Sequence, residues 1–248
     1  MSQLPNAPLI EVIFELHWSL KPEGEMEKVR YLPGDLYAKI RKDYPHREAL
    51  VPIDIPVEMM EDRPMYRFRK VERGYPLVQV GPGLLSVNTI DPKYDWKEYL
   101  EWIVSVVEDF FSVYELSDDP PLRLVLRYLD FFPFDFDHDN VFEFLNKNLH
   151  LSIEQDFFPN QSPAKYLNLT LAYDCEAGLY QMQVYRGQNQ QQEGILMQNI
   201  VSQELAFDQL EDIESWLEDA HAFTHERFIQ MTKGPLYESF QQPKTSSK

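Results

Sequence analysis

The sequence is poor in cysteine and in long apolar runs, and each of these two shortages excludes a class of protein. Its one cysteine, Cys175, rules out an intramolecular disulfide or a cysteine cluster and fits a reducing compartment. No apolar run reaches the roughly 18 residues of a membrane span, and no basic segment precedes the first apolar stretch. We therefore expect a cytoplasmic protein that does not enter a membrane.

Basic residues and catalytic motifs are also scarce. The chain has 23 Lys and Arg against 41 Asp and Glu, a net charge of −18. Phosphate backbones attract the opposite charge, so direct nucleic-acid binding is disfavoured and a basic protein surface is the favoured partner. Solubility is the alternative reason for the acidity. No GxSxG, SxxK or CxxC motif occurs, so the sequence indicates no catalytic residue and no cofactor.

The sequence does contain ample core-forming material, with 44% hydrophobic and 14% aromatic residues, and two stretches that echo each other. Residues 7–18 read APLIEVIFELHW and residues 120–131 read PPLRLVLRYLDF. A one-residue slip would turn every strand side chain to the opposite face, so the alignment must keep the apolar alternation. A shift of 112 residues does so by matching Ile10, Val12, Phe14 and Leu16 with Leu122, Leu124, Leu126 and Tyr128.

On the other face of these two strands, acids of the first stretch align with arginines of the second. Were the strands antiparallel neighbours centred on Ile13 and Val125, opposite charges would face each other directly. The expected pairs are Glu11 with Arg127 and Glu15 with Arg123.

Further echoes follow in the same order and indicate an internal duplication. Gly83-Leu84-Leu85 with Asn88 recurs as Gly194-Ile195-Leu196 with Asn199, and Asp91, Asp95, Leu100, Glu101 and Phe111 recur as Asp208, Asp212, Leu217, Glu218 and Phe228. The sequence thus predicts an α+β fold of two similar β-α-(antiparallel meander)-α halves, with long helices packed on antiparallel sheets that either join or face one another. The halves span 1–116 and 117–232, and 233–248 is expected to be a flexible tail.

Local patterns give the elements of each half. The predicted helices are 35–44, 96–114, 140–149 and 208–231. The predicted strands are 9–18, 57–60, 65–71, 76–80, 84–90, 122–132, 153–158, 165–173, 179–186 and 195–205. Residues 21–27 and most of 45–64 are expected to be irregular, and 188–192 to form a hairpin loop.

Three residues of the second echo are candidates for ligand binding. Arg123 and Arg127 lie on the non-core face of an apolar strand, and their forked donors suit a carboxylate or a phosphate. Tyr128 follows them, and all three could contact a ligand in a cleft between the halves. Pairing of the arginines with nearby acids is the alternative.

The segment LDFFPFDFDHDN holds the candidate metal ligands Asp135, Asp137, His138 and Asp139. Alternating carboxylates suit a hard cation such as Mg²⁺ or Ca²⁺. The alternative is a solvated turn that leads into a helix capped by Asn140. His221 and His225, with Glu218 one turn earlier, form a second and weaker pattern, because two histidines four residues apart share a helix face.

The motifs NAPLIEVIFELHW, YPLVQVGPGLLSVN, YDWKEYLEWI, LRYLDFF and AHAFTHERF extend over most of the chain. Together they resemble a sporadically distributed prokaryotic family of about this length, for which no biochemical activity is established. The resemblance implies an accessory gene with a tie to defence or toxin-antitoxin modules. It transfers no catalytic residue to this sequence.

These observations lead to three functional predictions. The first is a non-catalytic interaction or regulatory protein that occludes a basic protein partner, with a homodimer left open. The alternative is a sensor that binds a small molecule or nucleotide between the halves. The third is a metal-dependent hydrolase that uses the aspartates after the second-half strand.

Overall fold

The computed structural model of the chain describes residues 4–20, 24–52, 55–91, 94–116, 121–156, 164–206 and 210–242. Nine strands form one sheet: β1 (Leu9–Trp18), β2 (His46–Ala49), β3 (Tyr66–Arg69), β4 (Leu77–Gly81), β5 (Leu84–Thr89), β6 (Leu122–Pro133), β7 (Asn168–Cys175), β8 (Gly178–Asn189) and β9 (Gln192–Leu205). The described α-helices are α1 (Glu25–Ile40), α2 (Trp96–Val113), α3 (Val141–Leu149), α4 (Leu210–Thr232) and α5 (Pro235–Gln241).

The strand order is β2-β3-β4-β5-β1-β6-β9-β8-β7, and every neighbouring pair is antiparallel. From the central β1–β6 pair, a meander runs outward on each side, through β5, β4 and β3 in the first half and through β9, β8 and β7 in the second. The predicted α+β fold with antiparallel strands and long helices is therefore confirmed, and the two halves join in one sheet.

One face of the sheet carries the core. A single row of side chains crosses the strands from β3 to β8 on this face, and it consists of Phe68, Val78, Val87, Phe14, Leu126, Val201 and Tyr180. Aromatic side chains of α1, α2, α3 and α4 all contact this face, through the pairs Tyr37–Phe68, Phe110–Trp18, Phe144–Phe132 and Phe223–Tyr180. We call the opposite side of the sheet the open face.

The expectation that β1 and β6 are antiparallel neighbours is confirmed, but the expected register is wrong. Phe14 faces Leu126, so the centre lies one residue further along each strand than Ile13 and Val125. Glu15 consequently faces Val125, and no Glu–Arg pair is directly opposite. A slip of two in the paired residues keeps every side chain on its face, so the apolar pattern could not choose between these registers.

The first helix is longer than the sequence pattern indicates. α1 begins at Glu25, inside the expected loop, and ends at Ile40 rather than at Tyr44. Its buried positions include Val29 and Leu32, one turn before the predicted start. Pro33 lies inside the helix, and its low helix propensity hid the earlier turns from the sequence-based prediction.

Three further segments differ from expectation. The segment 45–64 contains β2 and a 3₁₀ helix at Val57–Met60 in place of the predicted strand. The described part of the predicted strand 153–158 is not a strand, and 157–158 lie outside the described residues. The expected tail 233–248 begins with α5, whose Phe240 is buried and accepts a backbone hydrogen bond from Asn6, whereas 243–248 lie outside the described residues.

The remaining elements begin and end close to their predicted positions. Asn140 caps α3 as expected, and Asp95 caps α2, each accepting two backbone N–H groups. The loop at 188–192 is a two-residue hairpin turn, with Gln190 and Gln191 at positive φ. No helix in the described part of the chain is both long enough and apolar enough to cross a membrane.

Candidate functional site

The open face is the candidate site, because it lies on the side of the sheet opposite the aromatic contacts of α1 to α4. Its central row runs from β2 to β7 and consists of Glu48, Arg67, Gln79, Ser86, Glu15, Val125, Ser202, Leu179 and Asp174. These residues alternate along each strand with the core residues, so their side chains point away from the helices. The row thus places polar, charged and apolar side chains side by side on the side of the sheet away from these helices.

Both candidate arginines lie on this face, next to acids of β1. Arg127 donates through one terminal nitrogen to Glu15 Oε2 at 3.4 Å and through the other to Gln198 Oε1 at 3.1 Å. Its Nε is buried and has no hydrogen-bond partner. Arg123 is exposed, and one of its terminal nitrogens lies 3.3 Å from His17 Nδ1. The alternative of pairing with acids therefore holds for Arg127, across a diagonal rather than a direct pair.

Glu15 and His17 connect these arginines to the loop before β3. His17 is buried, with Nδ1 3.0 Å from Asp62 Oδ1 and Nε2 3.4 Å from Glu15 Oε2. Burial by itself would raise the pKa of Glu15, but the His17 hydrogen bond and the charge of Arg127 outweigh burial and lower it. Glu15 is therefore held as a carboxylate between two basic groups.

A second polar chain crosses the first-half strands of the open face. Gln79 accepts two hydrogen bonds from Arg67 and donates to Ser86, which donates to Asn88. Asn88 then donates to Glu11. Sequence reasoning missed this chain of hydrogen bonds, because its members come from four strands whose order in the sheet the sequence pattern does not specify.

Apolar side chains interrupt the polar groups of the open face. Val125, Leu196 and Ile200 lie among them and are no more than 9% exposed. Long neighbouring side chains such as Arg127 and Gln198 shield them from water. The centre of the open face is thus partly desolvated before any partner binds.

Tyr128 points to the opposite side of β6 from the two arginines, so the three candidate ligand-binding residues do not share one site. Its hydroxyl lies 2.8 Å from His221 Nδ1 and 3.1 Å from the Tyr94 hydroxyl. His221 stacks on Trp96 with ring centroids 4.0 Å apart. These side chains lie at the junction between α2 and α4.

The α2–α4 junction also accounts for the two-histidine pattern. Glu218 accepts the Trp96 indole N–H at 2.8 Å and is therefore occupied. Burial, with His225 adding to it, lowers the pKa of His221 to about 4, so the ring is neutral at physiological pH. A neutral, stacked histidine bonded to a tyrosine is well explained as a packing element.

A buried polar group lies nearby on the core face, beneath α4. Asn199 is 1% exposed, accepts a hydrogen bond from Tyr180 at 2.7 Å, and its Nδ2 has no partner. Asp130, on the neighbouring strand, is 3% exposed, and burial raises its pKa to about 7. Unsatisfied and pKa-shifted groups of this kind concentrate at binding sites. Sequence reasoning matched Asn199 only as part of an echo, and it grouped Asp130 with the candidate metal ligands of LDFFPFDFDHDN rather than with Asn199.

The candidate metal ligands form a capped surface turn. Asp135 accepts the backbone N–H groups of Asp137 and His138, and its other oxygen lies 2.8 Å from His138 Nδ1. Asp137 pairs with Lys165 at 2.5 Å, while Asp139 is exposed. Within the described residues, no group of three or more His, Cys, Asp or Glu side chains is placed to hold a metal ion. These contacts match the alternative of a solvated turn leading into α3.

Comparison with protein-family models, with curated proteins and with solved structures finds no match to this chain. The fold and the geometry of the open face are therefore the evidence for function.

Proposed function

We propose that this chain is a non-catalytic interaction protein whose protein partner docks on the open face of the sheet. The observation that carries the proposal is that aromatic side chains of helices α1 to α4 all contact the core face of the sheet. A sheet face that merely meets water is normally polar, with the apolar side chains turned inward. Val125, Leu129 and Ile200 break that pattern on the open face, as expected of a contact surface.

The charge of the open face supports a protein partner. Its strands carry four arginines, Arg67, Arg69, Arg123 and Arg127, against the acids Glu11, Glu15, Glu48, Asp174 and Glu204. The open face is thus close to charge balance in a chain of net charge −18. A balanced face suits a mixed-charge protein surface, because fewer unpaired charges are desolvated on contact.

The partner that we infer is a protein of net positive charge. The −18 charge of the chain attracts it at long range, and the open face then supplies the contact. The resemblance to a family of prokaryotic accessory genes suggests that this partner belongs to a defence or toxin-antitoxin module. Occlusion of the partner's active surface would then be the regulatory mechanism.

The test is copurification of the untagged chain with the proteins encoded beside its gene, followed by affinity measurements on two variants. Arg123→Glu changes an exposed open-face side chain, one terminal nitrogen of which lies 3.3 Å from His17 Nδ1. Arg41→Glu changes an exposed side chain at the end of α1. Both variants alter the net charge equally, so they alter long-range attraction equally.

We expect Arg123→Glu to weaken binding at least roughly tenfold, a loss of about 1.4 kcal/mol, while Arg41→Glu leaves the affinity within twofold. Equal affinities for the two variants would contradict docking on the open face. Absence of any protein partner would contradict the proposed function itself.

A second candidate function is binding of a small ligand beneath α4. The observation that favours it is the buried Asn199 amide, whose Nδ2 lacks an acceptor beside the protonatable Asp130. A ligand with a hydrogen-bond acceptor next to a donor would satisfy both groups. Thermal-shift screening of nucleotides and small metabolites tests it, with Asn199→Leu as the variant that should lose any stabilisation.

We also propose that the halves arose by internal duplication. At a shift of 112, Phe14 aligns with Leu126, the residue that it faces, as a two-fold axis through this pair requires. At a shift of 117, three buried residues of α2 align with three buried residues of α4: Tyr99, Leu100 and Ile103 with Trp216, Leu217 and Ala220. A comparison of the two halves across homologous sequences tests this, and similarity no better than chance would contradict it.

A further inference from the structure

The two edges of the sheet differ in how well they resist pairing with another strand. β2 has four residues, all exposed, including the charged Arg47 and Glu48, and Pro45 precedes it. β7 has eight residues, NLTLAYDC, with no Lys, Arg or Pro. Its pairing with β8 shows no register shift along its whole length. Natural proteins protect edge strands with charge, proline, bulges or shortness, and of these protections β7 has only the single charge of Asp174 near its end.

Exposed apolar surface concentrates at the β7 edge. Tyr166, just before the strand, is 73% exposed, and Tyr173 within it is 54% exposed. Leu179, which faces Asp174 across the β7–β8 hairpin, is 43% exposed. These are three of the seven large apolar side chains that are exposed in the described part of the chain. Such a concentration next to an unpaired strand edge indicates an interaction surface.

We propose that β7 pairs with β7 of a second copy of this chain, antiparallel and about a two-fold axis at Leu171. Each copy contributes nine strands, so the sheet continues across both copies. The axis places Leu171 opposite Leu171 of the second copy and Leu169 opposite its Tyr173. Apolar side chains then meet on the helix side of both strands.

The chemistry of β7 favours a second copy over a foreign basic strand. Its single charge, Asp174, would face Asn168 of the second copy, so no like charges are opposed and the carboxylate can accept from the amide. A basic strand would find only this one carboxylate along eight residues. A closed two-fold pairing also covers both exposed edges at once, as is usual in homodimers.

The pairing also has a consequence for the open face. A two-fold axis perpendicular to the sheet keeps both open faces on the same side, so the two copies present one extended surface. The inference does not depend on the proposed function, because edge pairing uses backbone groups of β7 and leaves the open-face side chains unoccupied.

Analytical ultracentrifugation of the full chain at rising concentration and ionic strength tests the pairing. We expect a monomer–dimer equilibrium that shifts toward dimer as salt is added, because two chains of charge −18 repel and salt screens that repulsion. Binding of a basic partner would weaken with salt instead. A chain that stays monomeric at every ionic strength up to its solubility limit would overturn the inference.

The edge itself is tested by the double variant Thr170→Lys with Ala172→Lys. Both residues are exposed, and the proposed register pairs each with the other across the axis, so lysines would oppose lysines. We expect the dissociation constant to rise at least roughly tenfold. The control, Ser105→Lys with Ala222→Lys, adds the same charge at exposed sites on α2 and α4 and should not weaken the dimer. Equal behaviour of the two variants would overturn the inference.

Cysteine cross-linking reads the register in a Cys175→Ser background, which has no other cysteine. Leu171→Cys places two thiols on the axis, within reach of a disulfide. Leu169→Cys places them four residues apart along the strands, too far to bridge. Covalent dimer is expected from Leu171→Cys alone, and cross-linking of the Leu169→Cys variant instead would contradict the proposed axis.

Discussion

Phe14 of β1 faces Leu126 of β6 directly, and both side chains are fully buried. This pair joins β1 and β6, with four further strands on the β1 side and three on the β6 side. The same two residues align at a sequence shift of 112, so under the proposed duplication the two halves meet at this pair. The core of both halves is therefore organised around one cross-strand contact.

We expect Phe14→Ala to destabilise the chain by about 3–5 kcal/mol and Leu126→Ala by about 2–5 kcal/mol, because each leaves a cavity in the shared core. The effects should couple by at least about 0.5 kcal/mol in a double-mutant cycle, since the side chains are in contact. Urea unfolding of the four proteins measures this. Strict additivity would show that the two halves do not share their core at this pair.

The sequence predicted the faces of these strands but not how they align. Val12, Phe14 and Leu16 alternate cleanly, and burial of large apolar side chains is worth several times more than a surface ion pair. The face of the sheet to which each side chain points could therefore be predicted from the apolar alternation alone. The expected pairing of Glu15 with Arg123 depended on weak charge terms, which do not determine a register that burial and the strand ends set.

The sequence match between β5 and β9 did not pair structurally equivalent residues, for a related reason. The matched asparagines, Asn88 and Asn199, differ by 111 residues, an odd shift, and they lie on opposite faces of the sheet. A shift of 112 restores the facing. The identity of a short motif was thus a weaker guide than the two-residue period of a strand.

The candidate site was predictable only in part. The two arginines stood out because they interrupt an apolar strand, and the structure places both on the open face. Tyr128 adjoins Arg127 in sequence but lies on the other side of the strand. The polar chain from Arg67 to Glu11 could not be predicted, because its hydrogen bonds depend on which strands are neighbours.

Asp130 and His221 make stability depend on pH in opposite directions. Burial raises the pKa of Asp130 from 3.8 to about 7, so its contribution is complete at acidic pH and is lost as pH rises through 7. Burial lowers the pKa of His221 from 6.5 to about 4, so its contribution is complete above pH 6.5 and is lost as pH falls through 4. Between these limits the two effects oppose each other.

Asp130→Asn should therefore stabilise the chain above pH 7 by a few kcal/mol, since each unit of pKa shift is worth about 1.4 kcal/mol. In this variant, the loss of stability toward pH 4 that protonation of His221 causes should become visible. His221→Gln should show the reverse slope, although His225, whose pKa burial also lowers, still contributes. Thermal unfolding from pH 4 to 8 measures both curves, and parallel curves for all three proteins would refute the assignment.

Gly81 is required by a close backbone approach at the end of β4. A Cβ at this position would lie 1.9 Å from the carbonyl oxygen of Arg63, in the segment that precedes β3. We expect Gly81→Ala to destabilise the chain by about 1–3 kcal/mol through strain and displacement of that segment. Gly34→Ala is the control, because nothing lies within 4 Å of its Cβ position inside α1, and it should stabilise by about 0.5–1 kcal/mol. Equal effects would contradict the close approach.

Glu15 contributes to stability as a carboxylate. Its pKa is lowered, so the contribution is present above the unfolded-state value near 4.5 and is lost as pH falls through the folded-state value. Glu15→Gln should cost about 1–3 kcal/mol at neutral pH, and less in acid. Glu48→Gln, at a side chain that is 49% exposed, should cost less than about 1 kcal/mol. A larger loss for Glu48→Gln would mean that the polar centre of the open face is not formed.

The most direct test of open-face docking is hydroxyl-radical footprinting of the chain alone and with its copurified partner, because this method reads side chains and separates the two sides of the sheet. Protection is expected at Leu129 and Tyr185, with Phe223 on the helix side unchanged. Protection confined to Phe223 and the outer surfaces of the helices would contradict the account.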